Sequence, residues 1–361
     1  MIRILQCVNI MDRAGLENML MNYYRNINRD KIQFDFLTHR PDRGAYDEEI
    51  EMLGGKVYHA PRLYPQNYPM YFKWMKNFFE EHSEYKIVHS HIDTMSYFPL
   101  LAAKKAGIPN RIAHSHSSKL EKDLKLPIKF MALKLIPNVA NHFCACGEVA
   151  GKFMFQKREF TVIRNAIDVK KFSFNNDIRN NKRKELRLKD AFVVGHVGRY
   201  CYIKNQLFLL DVFSEIKKDR QNAHLLLIGK GEDEKKIRNK IKQLHLEESV
   251  SLLIDRDDID QLYQVMDVFV MPSLFEGLPV VSIEAQANGL PCIVSSNISR
   301  EVKISKNIKM LDLKAGVNSW KNEIIATTTR RNPNAIDELE RKGYNIAIEG
   351  KKLEEFYKTL L

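Results

Sequence analysis

Two carboxylates, Glu276 and Glu284, stand with Gly277, Leu278 and Pro279 in the stretch 272–285 of this 361-residue chain. An apolar run, Val268 to Met271, leads into it and reads as a buried strand. The segment from Pro279 to Ala287 reads as a helix, and proline suits a first helical turn because its missing N–H loses no partner there. The layout is therefore strand, loop, helix N-terminus. Free backbone N–H groups and the helix dipole at such a terminus favour a phosphate, and the two carboxylates can accept hydrogen bonds from hydroxyls. A phosphate together with several hydroxyls describes a nucleotide sugar. Each piece alone has a plainer explanation: acids near a helix N-terminus often act as caps, and Gly-Leu-Pro often only turns the chain. The specificity lies in their combination at a strand end.

A second cluster supports the same chemistry. Gly198, Arg199 and Tyr200 follow the apolar strand Ala191–Val197, and Lys204 and Asn205 precede a helix read as Gln206–Lys217. Arg199 can hold a diphosphate through a bidentate fork and Lys204 as a mobile point charge. Gly229, in Gly229-Lys230-Gly231, ends the next strand, although an isolated Gly-x-Gly is a weak signal. In the first half, Asp12-Arg13-Ala14-Gly15 links the opening strand, Ile2–Ile10, to a helical pattern from Asn18 to Arg25. His89-Ser90-His91 and His114-Ser115-His116 fall at strand C-terminal ends, where ligands collect in open α/β sheets. Strand alternation points each pair to one face, but no carboxylate set accompanies them. Hydrogen-bonded imidazoles are expected there and a metal is not.

The elements that must position these residues alternate. Strand-like runs recur at 34–38, 56–59, 87–91, 111–114, 161–163, 191–197, 224–228, 250–254, 268–271 and 292–295, with helical stretches between them. Such alternation argues parallel sheets covered by helices. At about 150 residues per domain the length suggests two domains. The expected division is 1–168, then a charged linker and boundary over 169–190, a second domain over 191–340, and a terminal helical segment over 341–361. Signal is weak from 296 to 334.

Composition bounds the partners. A formal net charge of +12 makes an anionic partner plausible. From 118 to 141, Lys119, Lys122, Lys125, Lys129 and Lys134 interleave with apolar residues, a pattern that fits either an ordinary surface helix or a basic amphipathic helix lying on an anionic membrane. No apolar run reaches the roughly 18 residues of a membrane span, and no leader pattern precedes the first strand. The 5 scattered cysteines suit a reducing cytoplasm rather than a disulfide framework.

With these residues in place, the chain resembles the retaining GT-B glycosyltransferases of family 4. Glu276 and Glu284 match the E-x7-E signature, and 287–291, Ala-Asn-Gly-Leu-Pro, matches as well. So do the Gly198-Arg199 and Lys204 motif, Gly229, and 165–168, where Asn-Ala-Ile-Asp stands for the usual Asn-Gly-Ile-Asp. The first loop departs, with Ala14 and Leu16 where the family has Gly-Gly-Ala-Glu. The resemblance implies two Rossmann-like domains facing each other across a cleft, with the last helix crossing back to the first domain. It assigns the donor diphosphate to Arg199, Lys204 and the backbone at Gly277, Leu278 and Pro279, with Gly198 and Gly229 in the donor loops and Gly15 beside the donor phosphate or acceptor. Ribose falls to Glu284, the transferred sugar to Glu276, and the reaction centre on the first domain to His116 or His114. His116, Glu276, Arg199 and Lys204 are the candidate catalytic residues. The donor is a substrate, expected to be a UDP-sugar, and no cofactor or metal is implied.

The loop at 12–15, Ala45–Asp47 and the second histidine pair narrow the resemblance to capsule and exopolysaccharide enzymes. That implies a lipid-linked glycan acceptor and a peripheral place on the anionic cytoplasmic face of the membrane. Two other readings share the residues: a nucleotide-sugar 2-epimerase of the same architecture, and a non-catalytic protein using its charge on nucleic acid. The intact acidic and basic pairs argue against the second, so nucleic acid is not an expected partner. The sequence sets neither the sugar nor the number of associating copies.

Overall fold

Short apolar runs alternating with helices build two separate parallel sheets. The computed structural model describes residues 1–120 and 123–361. The first sheet and its helices run in the order β1 (Ile2–Val8), α1 (Gly15–Asn26), β2 (Ile32–Thr38), α2 (Asp47–Met52), β3 (Val57–His59), α3 (Tyr68–Glu81), β4 (Ile87–Ser90), α4 (Tyr97–Lys105), β5 (Asn110–Ser115), α5 (Leu126–Leu135), β6 (His142–Ala145), α6 (Glu148–Phe155) and β7 (Thr161–Val162). Then follow α7 (Val169–Phe172), α8 (Asn176–Glu185), β8 (Phe192–Val197), α9 (Gln206–Asp219), β9 (Ala223–Ile228), α10 (Glu234–Gln243), β10 (Val250–Leu253), α11 (Ile259–Val265) and β11 (Val268–Met271). The chain ends with α12 (Val280–Ala287), β12 (Cys292–Ser295), β13 (Ile308–Leu311), α13 (Gly316–Ala326), α14 (Ala335–Arg341) and α15 (Ile346–Thr359).

In the first unit the strand order is β3-β2-β1-β4-β5-β6-β7, and in the second β10-β9-β8-β11-β12-β13. Both are doubly wound, so the order reverses direction between β1 and β4 and again between β8 and β11. At such a switch point two successive loops diverge above the strand ends and leave room for a ligand. All seven residues of β2 are buried, and all of β8 and β11 as well, as expected of strands covered on both faces. No helix among the described residues is long and apolar enough to cross a membrane.

Unit 1 comprises Met1–Ala166 with Ile346–Leu361, and unit 2 comprises Ile167–Asn345. The last helix thus packs with the first unit, through Ile346, Leu353 and Tyr357 in the core of α1 and β2. The segment read as linker, 169–190, lies inside unit 2. Arg179 and Arg183 of α8 bind Asp267 at 2.5 and 2.6 Å, and Asp267 also accepts from the Val193 N–H. A buried carboxylate needs such partners, so residues that look solvated in sequence are structural. The weak region after 296 holds β13, α13 and most of the approach to α14, too short or too interrupted to show a period.

The stretch 118–141 also differs from its reading. Its helix is only Leu126–Leu135, and Lys122 lies outside the described residues. Lys125 turns inward, with Nζ 3.3 Å from the Leu63 carbonyl and 4.5 Å from the Tyr64 ring centroid. Lys129 is engaged by Asp123 at 2.8 Å. The outward face instead carries Pro127, Phe130 and Met131, with Lys134 at its end. The side expected to be basic is mainly apolar.

Candidate functional site

In unit 2 the site residues gather at the switch point between β8 and β11. The loop after β8 carries Gly198, Arg199 and Lys204 and ends on Asn205, whose φ of 57° puts it in the left-handed region. Asn205 donates from Nδ2 to the Pro272 carbonyl, 3.1 Å, and the Leu274 N–H donates to the Ile203 carbonyl, 2.8 Å. These two bonds tie the loop after β8 to the loop after β11. Lys204 Nζ then lies 2.5 Å from Glu276 Oε1, with both side chains mostly covered. The same oxygen accepts from Ser273 Oγ at 3.0 Å. A cation and a carboxylate are therefore held together one short turn before α12, whose first N–H groups lack intrahelical partners.

The glycines explain how backbones approach here. Gly229 has φ of 144°, and a Cβ built on it would lie 2.1 Å from the Gly198 carbonyl oxygen. Only glycine fits that contact. Gly277 is exposed, and a Cβ there would meet nothing within 4 Å, so the backbone before α12 is open to a ligand. Leu278 is half-buried and Pro279 buried.

Glu284, on α12 and eight residues after Glu276, accepts from Tyr263 Oη at 2.9 Å. Burial pushes its carboxyl up to about 7, against the Tyr263 hydrogen bond and the field of Lys171, while Asp260 adds to the rise. Lys171 and Asp260 are themselves 3.8 Å apart. Arg199 is placed differently. Its exposed guanidinium pairs with the exposed Glu232 at 3.0 Å, away from the Lys204–Glu276 contact. Such an exposed pair contributes little, so a diphosphate can take the arginine from Glu232.

In unit 1 the two histidine pairs converge at the switch point between β1 and β4. His91 Nε2 is 2.8 Å from Gln6 Oε1, Gln6 Nε2 donates to Tyr357 Oη at 3.2 Å, and Tyr357 Oη is 2.7 Å from His89 Nδ1. His89 Nε2 is 3.0 Å from His114 Nδ1, and His91 Nδ1 is 3.0 Å from His116 Nε2. The amide oxygen of Gln6 can only accept, which makes His91 Nε2 and then His116 Nε2 donors; with Tyr357 Oη accepting from Gln6, its own proton is satisfied at His89 Nδ1. Protons point from His116 to His91 to Gln6, then through Tyr357 to His89 and His114. Burial lowers all four imidazoles, His116 to about 4 and the others well below their ordinary value. Nitrogens of His89, His91 and His114 lie within 4.8 Å, close enough to hold a metal, but the Nδ1 lone pair of each accepts a hydrogen bond.

The structure separates the two candidates at the second pair. His114 is fully buried, and its Nε2 has no partner among the described residues. His116 is half-buried. Its N–H and that of Ser117 donate to Asp93 Oδ1 at 2.7 and 3.1 Å. Gly15 opens α1, and a Cβ there would meet nothing within 4 Å. Ala14 before it is extended, φ −131°, so the family's glycine is not needed for a positive φ. Ser273, Asn205, Tyr263 and Asp93 were not legible as site residues. Each acts by holding a candidate in place, and only Asn205, beside Lys204 at a helix start, carries a local signal.

Comparison with known proteins agrees with this geometry. A family profile described as "Glycosyl transferases group 1" matches residues 177–309, and one described as "Glycosyltransferase Family 4" matches residues 13–171. The putative glycosyltransferase EpsF of Bacillus subtilis is 35% identical over 92% of this chain and 89% of its own. An Escherichia coli UDP-Gal:alpha-D-GlcNAc-diphosphoundecaprenol alpha-1,3-galactosyltransferase is 29% identical over 76% of this chain and 75% of its own. Anabaena HepE, solved with UDP and with UDP-glucose, superposes with a TM-score of 0.82 for the UDP complex, at 18% identity over 99% of this chain and 100% of its own. The fold it shares with this chain is GT-B.

Proposed function

The chain belongs to the group 1, family 4 glycosyltransferases, and we propose that it moves a sugar, with retention of configuration, from a UDP-sugar to a lipid-linked glycan during extracellular polysaccharide assembly. The observation that carries this reading is the Lys204–Glu276 contact beside the N-terminus of α12. Lys204, the released Arg199 and the backbone at 277–280 receive the diphosphate. Glu284 accepts from the ribose hydroxyls and Glu276 from the transferred sugar. UDP in the HepE complexes supports the choice of base, and the name of the E. coli relative supports a diphosphate-linked acceptor.

Departure of the nucleoside diphosphate builds negative charge on the leaving oxygen and positive charge on the sugar ring. Fixed cations and N–H groups stabilise the first without reorganising. They supply what a divalent ion supplies elsewhere, so the transfer runs without metal. Glu276 is held by Lys204 and Ser273 and serves sugar hydroxyls rather than attacking carbon. The acceptor hydroxyl then enters on the face the leaving group vacates, and the departing phosphate takes its proton. His116, half-buried in unit 1, keeps the sugar-contact role that the family resemblance gives it. A peripheral position on the cytoplasmic membrane surface belongs to the same reading, and the exposed apolar face of α5 supports it.

A thermal-shift screen with UDP-, GDP- and ADP-sugars tests the donor. The UDP series should stabilise the protein most. Lys204→Met should weaken UDP binding about 10- to 100-fold, the loss of one charge-assisted contact. Wild-type UDP affinity in that variant refutes the phosphate role, and inversion at C2 of a donor incubated alone would show an epimerase instead.

A further inference from the structure

A cavity of about 330 Å³ in unit 1 is not used by the donor chemistry above. It opens beyond the C-terminal ends of β1 and β2. The buried His39 and Leu63 line it with the exposed Arg40 and Arg62 and with Lys125 and Lys129, and Asp123 is the one acidic residue among the described residues of the lining. His39 adds no charge. Its Nδ1 faces the Val8 carbonyl at 2.8 Å and its Nε2 the Tyr71 hydroxyl at 3.1 Å, and burial lowers it to about 4. The excess of cations over acids in one concave lining selects a ligand with more than one negative charge.

Three further features restrict that ligand. Lys125, held over the Tyr64 ring, and Lys129 enter the cavity from the helix α5 and the turn before it. That same helix exposes Phe130 and Met131 by 53% and 45%, and the neighbouring Leu124 is fully exposed. A ten-residue helix that is apolar on both faces has no reason to meet water on one of them. Finally, Met95 on the cavity wall belongs to the turn 93–96, whose Asp93 fixes the backbone at His116. Multiple anionic charges, an apolar surface alongside and a link to the sugar-facing histidine coincide.

We propose that this cavity binds the diphosphate of a polyprenyl-diphosphate-linked glycan, with Arg40, Arg62, Lys125 and Lys129 as its ligands and Leu124, Phe130 and Met131 in the adjoining hydrocarbon. The proposal rests on the glycosyltransferase reading and specifies its acceptor. The diphosphate then lies under α5 and the glycan extends toward His116. Arg40 makes no side-chain bond among the described residues, and Arg62 meets only the exposed Asp42 at 3.5 Å. Both are exposed, so they can turn to a ligand at little cost and be removed without disturbing a core.

The experiment compares wild type with an Arg40→Ala/Arg62→Ala double variant and with Phe130→Ser/Met131→Ser. Each is titrated with phosphatidylcholine vesicles carrying polyprenyl-diphosphate N-acetylglucosamine, polyprenyl monophosphate, or phosphatidylglycerol at matched surface charge. UDP affinity is measured separately in solution. Wild type should prefer the diphosphate vesicles at least about tenfold, and the arginine variant should lose about tenfold there, as expected for two charge-assisted contacts. It should lose less than about twofold on phosphatidylglycerol, since scattered surface attraction is screened, and UDP affinity should not change. The apolar variant should weaken on all three surfaces. Equal losses of the arginine variant on diphosphate and phosphatidylglycerol would reduce the cavity to general membrane attraction and overturn the proposal. So would unaltered diphosphate binding, or a parallel loss of UDP. Failure of wild type to bind UDP would instead defeat the donor reading, while the vesicle arms still decide the cavity.

Discussion

Replacing Glu284 by glutamine should strengthen the empty protein and weaken its hold on nucleotide. The carboxyl is raised by burial from an ordinary 4.5 to about 7. A group raised in the folded state binds its proton more tightly there than in the unfolded chain. Between about pH 4.5 and 7 the folded protein therefore loses stability as pH rises, and above 7 it carries the full penalty. At about 1.4 kcal/mol per pH unit the penalty is capped near 3 kcal/mol. The carboxylate is only half-buried by accessible surface, and screening by water reduces this to about 1–2 kcal/mol. Glutamine removes the charge and keeps an oxygen for the Tyr263 hydroxyl. At pH 8 the melting temperature of Glu284→Gln should rise by about 3–6 °C for a unit of this size; at pH 4.5 the two proteins should melt together. UDP affinity at pH 8 should fall about 10-fold or more, the loss of a charge-assisted bond to the ribose. Calorimetric melting across pH and titration with UDP measure both. A variant that melts lower than wild type at pH 8, or that gains equally at both pH values, would refute the assignment of a strained carboxylate.

Two further substitutions probe the Gly198–Gly229 approach and the Tyr357 hydroxyl. Gly229→Ala sets a methyl 2.1 Å from the Gly198 carbonyl oxygen at a φ of 144°; it should cost about 3 kcal/mol or more and displace the loop bearing Lys204, read as a lower melting temperature together with weaker UDP binding. Tyr357→Phe leaves Gln6 Nε2 and His89 Nδ1 without their shared hydroxyl and should destabilise unit 1 by about 1–3 kcal/mol, visible as faster amide exchange in α15, with UDP affinity unchanged.

The strand ends and their cations were legible because the chemistry sits beside periodic structure. Lys204 and Glu276 each follow a buried strand by a few residues, and strands buried on both faces announce themselves as apolar runs. What sequence could not show was direction. Arg199 and Lys204 share one loop, yet one reaches Glu232 and the other Glu276, a choice made by side-chain packing rather than spacing. The same holds for α5, where Lys125 and Lys129 turn inward because Tyr64, the Leu63 carbonyl and Asp123 receive them. The helix α8 was hidden for a different reason. Its arginines look like those of a solvated linker until Asp267, nearly ninety residues away, supplies their partner. The four histidines were visible as two pairs, but the network that joins the pairs depends on Gln6 and Tyr357, far apart in the sequence.

That last pairing has a consequence for how the protein is made. Unit 2 is a continuous piece whose ends, Ile167 and Asn345, pair with one another. Unit 1 is not, for it waits for residues 346–361. A ribosome delivers β1 and its histidine-bearing neighbours before unit 2 and their closing helix after it, so unit 1 starts to emerge before unit 2 and is completed after it. Until then the places of Leu353 and Tyr357 form an uncovered apolar furrow. Copies cut short near the C-terminus keep that furrow permanently, and it is the kind of surface by which chaperones and proteases sort unfinished chains from finished ones.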